Sequence, residues 1–223
     1  MIAAAFIVVD NDYRSASLPS QYKADLDNGE TVFYASGCRS CHLAINPTSE
    51  NDLSGGEAFQ TTFGTFYAPN ISRSSQYGIG SWTSEDFYVA LKHGKSPLGS
   101  NYFPVFPYSS YSNMQELDIA DLWGYMQTLP AVDTPNKEHD IRFPFSVRRT
   151  VAFWNLLYAD NAKYSPIDDR ATYLVEALGH CAQCHTPRNL LGGIKTEKWF
   201  TGALNPSCKG KIPSIHPSDL KWS

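Results

Sequence analysis

Two short stretches of the sequence carry the same arrangement of thiols and imidazole. GCRSCH occupies residues 37–42 and GHCAQCH occupies residues 179–185, so each holds two cysteines two residues apart with a histidine directly after the second. These units use four of the five cysteines in the chain, and only Cys208 lies outside them. A framework of structural disulfides would distribute its cysteines more widely. The repeated pattern therefore indicates one chemical role that cysteine and histidine perform together.

Four kinds of site use a CxxC pair: structural zinc, thiol–disulfide exchange, a tight disulfide and covalent haem attachment. Zinc requires four ligands, usually from two knuckles in one compact unit, whereas more than a hundred residues separate these two pairs. A thioredoxin-like motif sits between a strand and a helix of a βαβ unit, and the flanking residues show no such pattern. Haem attachment explains the histidine as well, because two thiols bond to the vinyl groups and the next residue places its imidazole on the iron. The sequence therefore predicts two covalently attached haem c groups.

This interpretation names the residues of two haem sites. In c-type attachment, the histidine after the second cysteine is the proximal iron ligand. The predicted residues are Cys38, Cys41 and His42 for the first haem, and Cys181, Cys184 and His185 for the second.

The sequence around each motif also repeats. Pro69 follows His42 after 27 residues, and Pro213 follows His185 after 28. In the first copy, Gly55 and Gly56 lie between the histidine and the proline, and Trp82 follows the proline. In the second copy, Gly202 and Trp222 take the corresponding places. One repeated haem-binding unit accounts for this spacing.

Each motif requires a helix that ends just before it. Before Cys38 stands ADLDNGETVFYASG, in which Gly29 and Phe33 lie one turn apart on one helix face. Before Cys181 stands RATYLVEALGH, with Ala171 in the place of the glycine. Both segments are predicted to be amphipathic helices.

Two more helices complete the first unit. TSEDFYVALKHG has Thr83 as its N-cap, Asp86 at the reciprocal capping position and Gly94 as its stop. QELDIADLWGYMQTLP ends at Pro130 and carries an apolar stripe of Ile119, Leu122, Trp123 and Met126. If this last helix crosses the glycine-bearing first helix, the two close a small all-α domain around the haem.

The composition fits an ordinary globular protein. Of 223 residues, 42% are hydrophobic and 18% are charged, which excludes a disordered chain. The net charge of −4 and the lack of a basic run exclude nucleic acid as a partner. The apolar run at residues 2–9 is too short to cross a bilayer and incomplete as a signal peptide. The remnant of a signal or anchor and a plain N-terminal strand are both open interpretations of it.

With both motifs and their flanks in place, the sequence resembles the bacterial multihaem cytochromes c that serve as subunits of periplasmic alcohol, gluconate and related dehydrogenases. The matching segments are GTFYAPNIS, GIGSWTSEDFYVALKHG, FPVFPYSSYSNM, DLWGYMQTLP and RATYLVEALGHCAQCHTPRNLLGG, of which the last is the most specific. The resemblance implies an all-α fold of two tandem class I cytochrome c domains, the second truncated at its C-terminal side. The expected divisions are a first domain at 20–130, a linker and bridging helix at 131–164, and an incomplete second domain at 165–223.

The resemblance also implies a sixth iron ligand. A low-spin electron-transfer haem usually takes methionine there, and class I cytochromes carry it in the loop where Met114 stands, 72 residues after His42. We expect Met114 to face His42 across an apolar slot lined by Tyr102, Phe103 and Phe106. Met126, on the apolar stripe of the last helix, is expected to pack.

Three further residues are implied around the haems. The carbonyls of Pro69 and Pro213 are the expected acceptors for the second ring nitrogen of each proximal histidine, which fixes the ring. Arg188, in CHTPRN, either pairs with a haem propionate or is solvated.

The predicted function is electron transfer by a subunit of an oxidoreductase complex, and this subunit is not expected to catalyse a reaction by itself. Two haems relay single electrons from a periplasmic dehydrogenase, either a quinoprotein or a flavoprotein, to a quinone or a terminal oxidase. The resemblance implies a periplasmic location at the outer face of the inner membrane, with peripheral or anchored membrane association. A dihaem peroxidase-like enzyme is the alternative, since the second domain has no corresponding methionine. A third hypothesis is a docking protein that uses haem mainly for structure.

The second unit is expected to be incomplete. Nothing after its motif corresponds to residues 84–130, which favours a piece of a longer chain. The helix that carries Tyr173, Leu174 and Ala177 should then expose its apolar face, unless the helix at 148–158 covers it. That helix is expected to pack between the two domains, with a membrane or a partner as the other surfaces on which it could dock.

Overall fold

The computed structural model describes residues 22–159, 167–207 and 209–220. Our expectations for the N-terminal apolar run, Cys208 and Trp222 fall outside these residues. The helices are α1 (Leu26–Ala35), α2 (Cys38–His42), α3 (Ser84–His93), α4 (Tyr108–Tyr111), α5 (Glu116–Met126), α6 (Thr150–Tyr158), α7 (Arg170–Thr172) and α8 (Ala182–His185). Helix α7 continues directly as a π-helical segment, Tyr173–Leu178, and a 3-10 turn spans Thr196–Lys198. The strands are β1 (Ala58–Thr61), β2 (Gly64–Tyr67), β3 (Asp140–Ile141), β4 (Ala203–Leu204) and β5 (Lys211–Ile212).

The prediction of an all-α fold is wrong. The helical content is 34%, and the strands form two antiparallel sheets in the orders β1-β2-β3 and β4-β5. Gly64 begins β2 with φ of +134°, and a Cβ there would lie 2.2 Å from the carbonyl oxygen of Asp140 in β3. The glycine at this position therefore lets β3, in the linker, lie against the hairpin that β1 and β2 form. None of these strands exceeds four residues, which is too short for hydrophobic alternation to reveal them.

The predicted crossing of the first and last helices of the first unit is confirmed. A Cβ at Gly29 of α1 would lie only 2.2 Å from the carbonyl oxygen of Asp121 in α5. The rings of Phe33 and Tyr125 meet beside it, with centroids 5.4 Å apart. Asn28 Nδ2 also donates to Asp121 Oδ2 at 2.8 Å. The two helices therefore touch backbone to backbone, which only glycine allows.

Replacing Gly29 with alanine is expected to lower the free energy of unfolding by about 2 kcal/mol. Forcing a methyl group into this contact costs about 3 kcal/mol, and alanine returns about 1 kcal/mol through its higher helix propensity. Chemical denaturation of the purified protein measures the difference. Thr31→Ala, at an exposed position of the same helix, is the control and should change stability by less than about 0.5 kcal/mol.

Helix α3 has the predicted caps. Thr83 and Asp86 form a reciprocal capping box, and Gly94 ends the helix in a left-handed conformation. The buried Lys92 near its end donates from Nζ to the carbonyl oxygens of Ser112 and Met114. A cation held by two carbonyls fixes the loop that precedes α5.

The expectation that the second unit exposes its first helix is wrong. Tyr173, Ala177 and Leu178 are fully buried and share one core with α1, α3 and α5, while Leu174 is partly exposed. Tyr173 Oη donates to Asp118 Oδ2 at 2.6 Å and accepts from the backbone nitrogen of Gln115 at 3.1 Å. The first unit itself therefore covers the face that sequence reasoning left without a partner.

Helix α6 packs between the two units, as predicted. Val151 lies in a small core with Phe66 and Phe103 of the first unit. On the other side, Trp154 Nε1 donates to the carbonyl oxygen of Leu191 at 2.9 Å. Within the described residues, no helix is both long and apolar enough to span a membrane.

The charged linker is more ordered than its composition indicates. His139, in this linker, is half-buried, and its Nδ1 accepts from the backbone nitrogen of Tyr67 at 3.2 Å. Its ring contacts Phe66 and Phe103, with centroids 5.5 and 5.6 Å away. Through His139, the linker therefore packs against β2, the strand that precedes Pro69.

Candidate functional site

The first CxxCH motif forms a helix of its own. Gly37, in a left-handed conformation with φ of +70°, ends the turn after α1 and lets α2 begin at Cys38. The backbone nitrogen of Cys41 donates to the carbonyl oxygen of Gly37 at 3.3 Å, which closes the turn between the two cysteines. The four motif cysteines are free thiols in this structure. A single turn therefore carries both thiols and the histidine.

The environment of the thiols disfavours thiol–disulfide exchange. Burial raises the pKa of Cys38 to about 12, and burial also raises the pKa of Cys41 and of Cys181. Exchange needs a thiolate and hence a lowered pKa. Within the described ranges, no group of three or more His, Cys, Asp or Glu side chains is arranged to hold a metal ion, so the motifs do not join into a zinc site there.

The histidine of the first motif is held through one ring nitrogen. His42 Nδ1 lies 2.8 Å from the carbonyl oxygen of Pro69, and because a carbonyl only accepts, Nδ1 carries the proton. Burial lowers the pKa of His42, partly offset by this hydrogen bond. The ring is therefore neutral, with the lone pair of Nε2 available to a metal.

The second motif repeats this geometry. His185 Nδ1 lies 2.9 Å from the carbonyl oxygen of Pro213. A glycine nitrogen donates to each histidine carbonyl: Gly55 to His42 at 2.9 Å and Gly202 to His185 at 2.8 Å. The predicted repeat is thus present in three dimensions, with glycine and proline around each histidine.

Gly55 allows the chain to approach the proline that holds His42. A Cβ at Gly55, where φ is +73°, would lie 2.4 Å from the carbonyl oxygen of Ala68 and 2.6 Å from that of Pro69. At the adjacent Gly56, with φ of +97°, the nearest atom to a Cβ would be 3.7 Å away. Both positions strain a side chain, but only Gly55 lies against the carbonyl that binds the histidine.

Gly55→Ala is therefore expected to destabilise the protein by about 2 kcal/mol more than Gly56→Ala, because overpacking adds to the same backbone strain. It should also shift the reduction potential of the first haem, since the acceptor of His42 must move. Denaturation and redox titration of both variants measure these effects. Equal stability losses and unchanged potentials would contradict the assigned role.

Met114 is fully buried in the shared core. Its exposure is 1%, and Cys38 and Phe106 pack against that core. Phe103, one of the predicted lining residues, belongs to the separate core of Phe66 and Val151, and the slot stays a prediction. Ligation of iron by Met114 stays a prediction.

Arg188 is occupied within its own loop. Its Nη1 donates to the carbonyl oxygen of Gly192 at 2.7 Å, and its Nη2 donates to Gln183 Oε1 at 2.6 Å. Gln183 Nε2 in turn donates to the hydroxyls of Ser109 and Ser110 of the first unit. These contacts hold the loop after the second motif; pairing with a propionate stays a prediction.

Sequence reasoning missed the residues that join the two motifs. Tyr111 Oη donates to the carbonyl oxygen of Ser36 at 2.6 Å, and its ring meets that of His180 with centroids 5.5 Å apart. His180 Nε2 would lie 3.7 Å from a Cβ on Gly37. One sequence signal was available, because His180 occupies the repeat position of Gly37. In the structure it also has the same left-handed backbone, with φ of +40°.

Comparison with known proteins gives relatives that are named as a cytochrome c or as subunits of dehydrogenases. No family model matches the chain. Over 206 residues it is 45% identical to a dihaem cytochrome c-type protein of Cereibacter sphaeroides, a match that covers 89% of this chain and 70% of that protein. It is 32% identical to the fructose dehydrogenase cytochrome subunit of Gluconobacter japonicus and 35% identical to the gluconate 2-dehydrogenase cytochrome c subunit of Pantoea cypripedii. Those matches cover 82% and 73% of this chain but only 39% and 38% of the two relatives.

Proposed function

Since the chain belongs to the dihaem c-type cytochromes and carries two haem c groups, we propose that it relays single electrons from a partner dehydrogenase to a quinone or a terminal oxidase. Its broader role as an electron-transfer cytochrome follows from the family. The partner and the acceptor are the proposed part.

The residues of both motifs fit covalently bound haem. Each offers two unpaired thiols and a histidine whose Nδ1 is fixed by a proline carbonyl. When bound, haem supplies one-electron redox chemistry at an iron whose potential depends on axial ligands, hydrogen bonds and burial. The chain anchors the thioethers and orients both imidazoles through the proline carbonyls.

The contact between the two motifs is the observation that carries the proposal. Ser36 and Gly37 directly precede Cys38, and His180 directly precedes Cys181. Tyr111 bridges these segments by its hydrogen bond to Ser36 and its ring contact with His180. The segments that carry the two attachment points are therefore neighbours, an arrangement that supports passage of electrons between them.

The names of the relatives support the choice of donor. The fructose and gluconate dehydrogenase relatives are named as cytochrome subunits of those enzymes. We assign this chain a periplasmic dehydrogenase partner, either a flavoprotein or a quinoprotein, and a place at the outer face of the inner membrane. Both assignments follow from the resemblance of the sequence to such subunits.

Anaerobic mixing of the purified holoprotein with candidate dehydrogenases and their substrates tests this function. We expect one dehydrogenase to reduce both haems, seen as growth of the c-type α bands, and a ubiquinone analogue or a terminal oxidase to reoxidise them. Failure of the dehydrogenases encoded by the same cell to reduce the protein would contradict the proposal. Peroxide-dependent oxidation of a reduced donor at enzymatic rates would favour the peroxidase-like alternative instead.

A further inference from the structure

Large apolar side chains protrude together from α6 and from two neighbouring segments. On α6, Phe153 and Leu156 are 65% and 63% exposed, and they lie three residues apart on one helix face. Phe143, from the segment before α6, and Leu190, from the loop after the second motif, are 83% and 95% exposed. We call this set the α6 patch: Phe143, Phe145, Val147, Phe153, Leu156, Leu157, Leu190 and Leu191.

Contacts beneath the α6 patch join its three segments. Trp154 Nε1 donates to the carbonyl oxygen of Leu191, which fixes the tip of the second-motif loop against α6. A Cβ at Gly192 would lie 3.2 Å from Phe63 and 4.0 Å from Trp154. The rings of Phe63 and Phe145 are in turn 4.7 Å apart between centroids. The three segments that carry the patch are therefore packed against one another.

The segment that carries α6 is basic, with Asp140 as the acidic residue just before it. Residues 141–159 contain three arginines, Arg142, Arg148 and Arg149, all exposed, and no acidic residue. The whole chain, by contrast, has a net charge of −4. The guanidinium of Arg148 also lies 4.6 Å from the ring centroid of Phe103, so its charge is held close to the base of α6. Cationic residues beside protruding Phe and Leu are typical of helices that lie in the interface of an anionic bilayer.

We propose that the α6 patch is a membrane-binding surface that inserts into the interface of a bilayer containing anionic lipids. The apolar side chains protrude, so a protein partner would need a separate matching pocket for each, whereas lipid deforms around them. This inference rests on the proposed function, because a quinone acceptor dissolves in the same bilayer. It also places the second motif next to the membrane, since Leu190 and Leu191 belong to the loop that Arg188 holds.

Vesicle flotation of the holoprotein tests the surface directly. We expect binding to vesicles of phosphatidylcholine with phosphatidylglycerol, and at least about tenfold weaker binding to phosphatidylcholine alone. Phe153→Ser with Leu156→Ser should weaken binding to the anionic vesicles by at least about tenfold, because two inserted side chains are lost. The matched control is Leu98→Ser with Leu204→Ser, which alters side chains that are 94% and 73% exposed elsewhere. It should bind like the unaltered protein.

Lack of binding to either vesicle would overturn the proposal and indicate that the α6 patch serves a protein partner. Equal loss in the α6 and control variants would also overturn it. Haem spectra and reduction by dithionite, unchanged in the α6 variant, show that folding is intact. Because flotation needs no donor or acceptor, failure to bind membranes is distinguishable from failure of the proposed electron transfer.

Discussion

Replacing Met114 with alanine is expected to convert the first haem from low-spin to high-spin and to lower its reduction potential. A thioether sixth ligand stabilises reduced iron, and its loss leaves an open coordination position. Because Met114 is fully buried, the free energy of unfolding should also fall by about 2–5 kcal/mol. Optical spectra, redox titration and chemical denaturation measure the three effects on one variant.

Met126 provides a control of the same residue type. It is 3% exposed and lies on α5 in the same core, so Met126→Ala should cause a similar loss of stability. Its spectrum and both reduction potentials should be unchanged. If Met114→Ala behaves like Met126→Ala in all three measurements, Met114 only packs and the ligand assignment is wrong.

Replacing Tyr173 with alanine is expected to separate the unfolding of the second unit from that of the first. The ring is 1% exposed in the shared core, and removal of a buried aromatic side chain costs about 3–5 kcal/mol. We expect two unfolding transitions in place of one, and faster amide hydrogen exchange at 170–185 than at 26–35. Hydrogen exchange followed by mass spectrometry resolves the two segments.

Tyr173→Phe separates the hydroxyl from the ring. The hydroxyl donates to the carboxylate of Asp118 and accepts from the backbone nitrogen of Gln115. Its removal should cost about 1.5–3 kcal/mol, as for a hydrogen bond to a charged group, and leave a single transition. A single transition in Tyr173→Ala as well would contradict the role of this side chain in joining the units.

Features set by local spacing could be predicted from the sequence. The CxxCH motifs, the capping box of Thr83 and Asp86 and the crossing at Gly29 each depend on residues a few positions apart or on one small residue in a helix. The proline carbonyls were predicted through family resemblance. Glycine, histidine and proline recur at nearly equal intervals in the two units because each haem requires a histidine ring that is held in the same way.

Features set by contacts across the chain could not be predicted. Tyr173 meets Asp118 from 55 residues away, and no periodicity marks a tyrosine whose hydroxyl binds a carboxylate. The strands escaped notice because β3 pairs only two residues with β2. The sequence was also interpreted as two separate units. That interpretation left the apolar face of the second unit without the partner that the first unit provides.

The haem content of the purified chain tests the central claim most directly. After expression with haem-maturation machinery, the pyridine haemochrome assay and the mass of the denatured chain should show two covalently bound haems. Cys38→Ala with Cys41→Ala should retain one haem, and Cys181→Ala with Cys184→Ala should retain the other. Fewer than two covalent haems in the unaltered chain, or two haems retained after either pair is removed, would contradict the account.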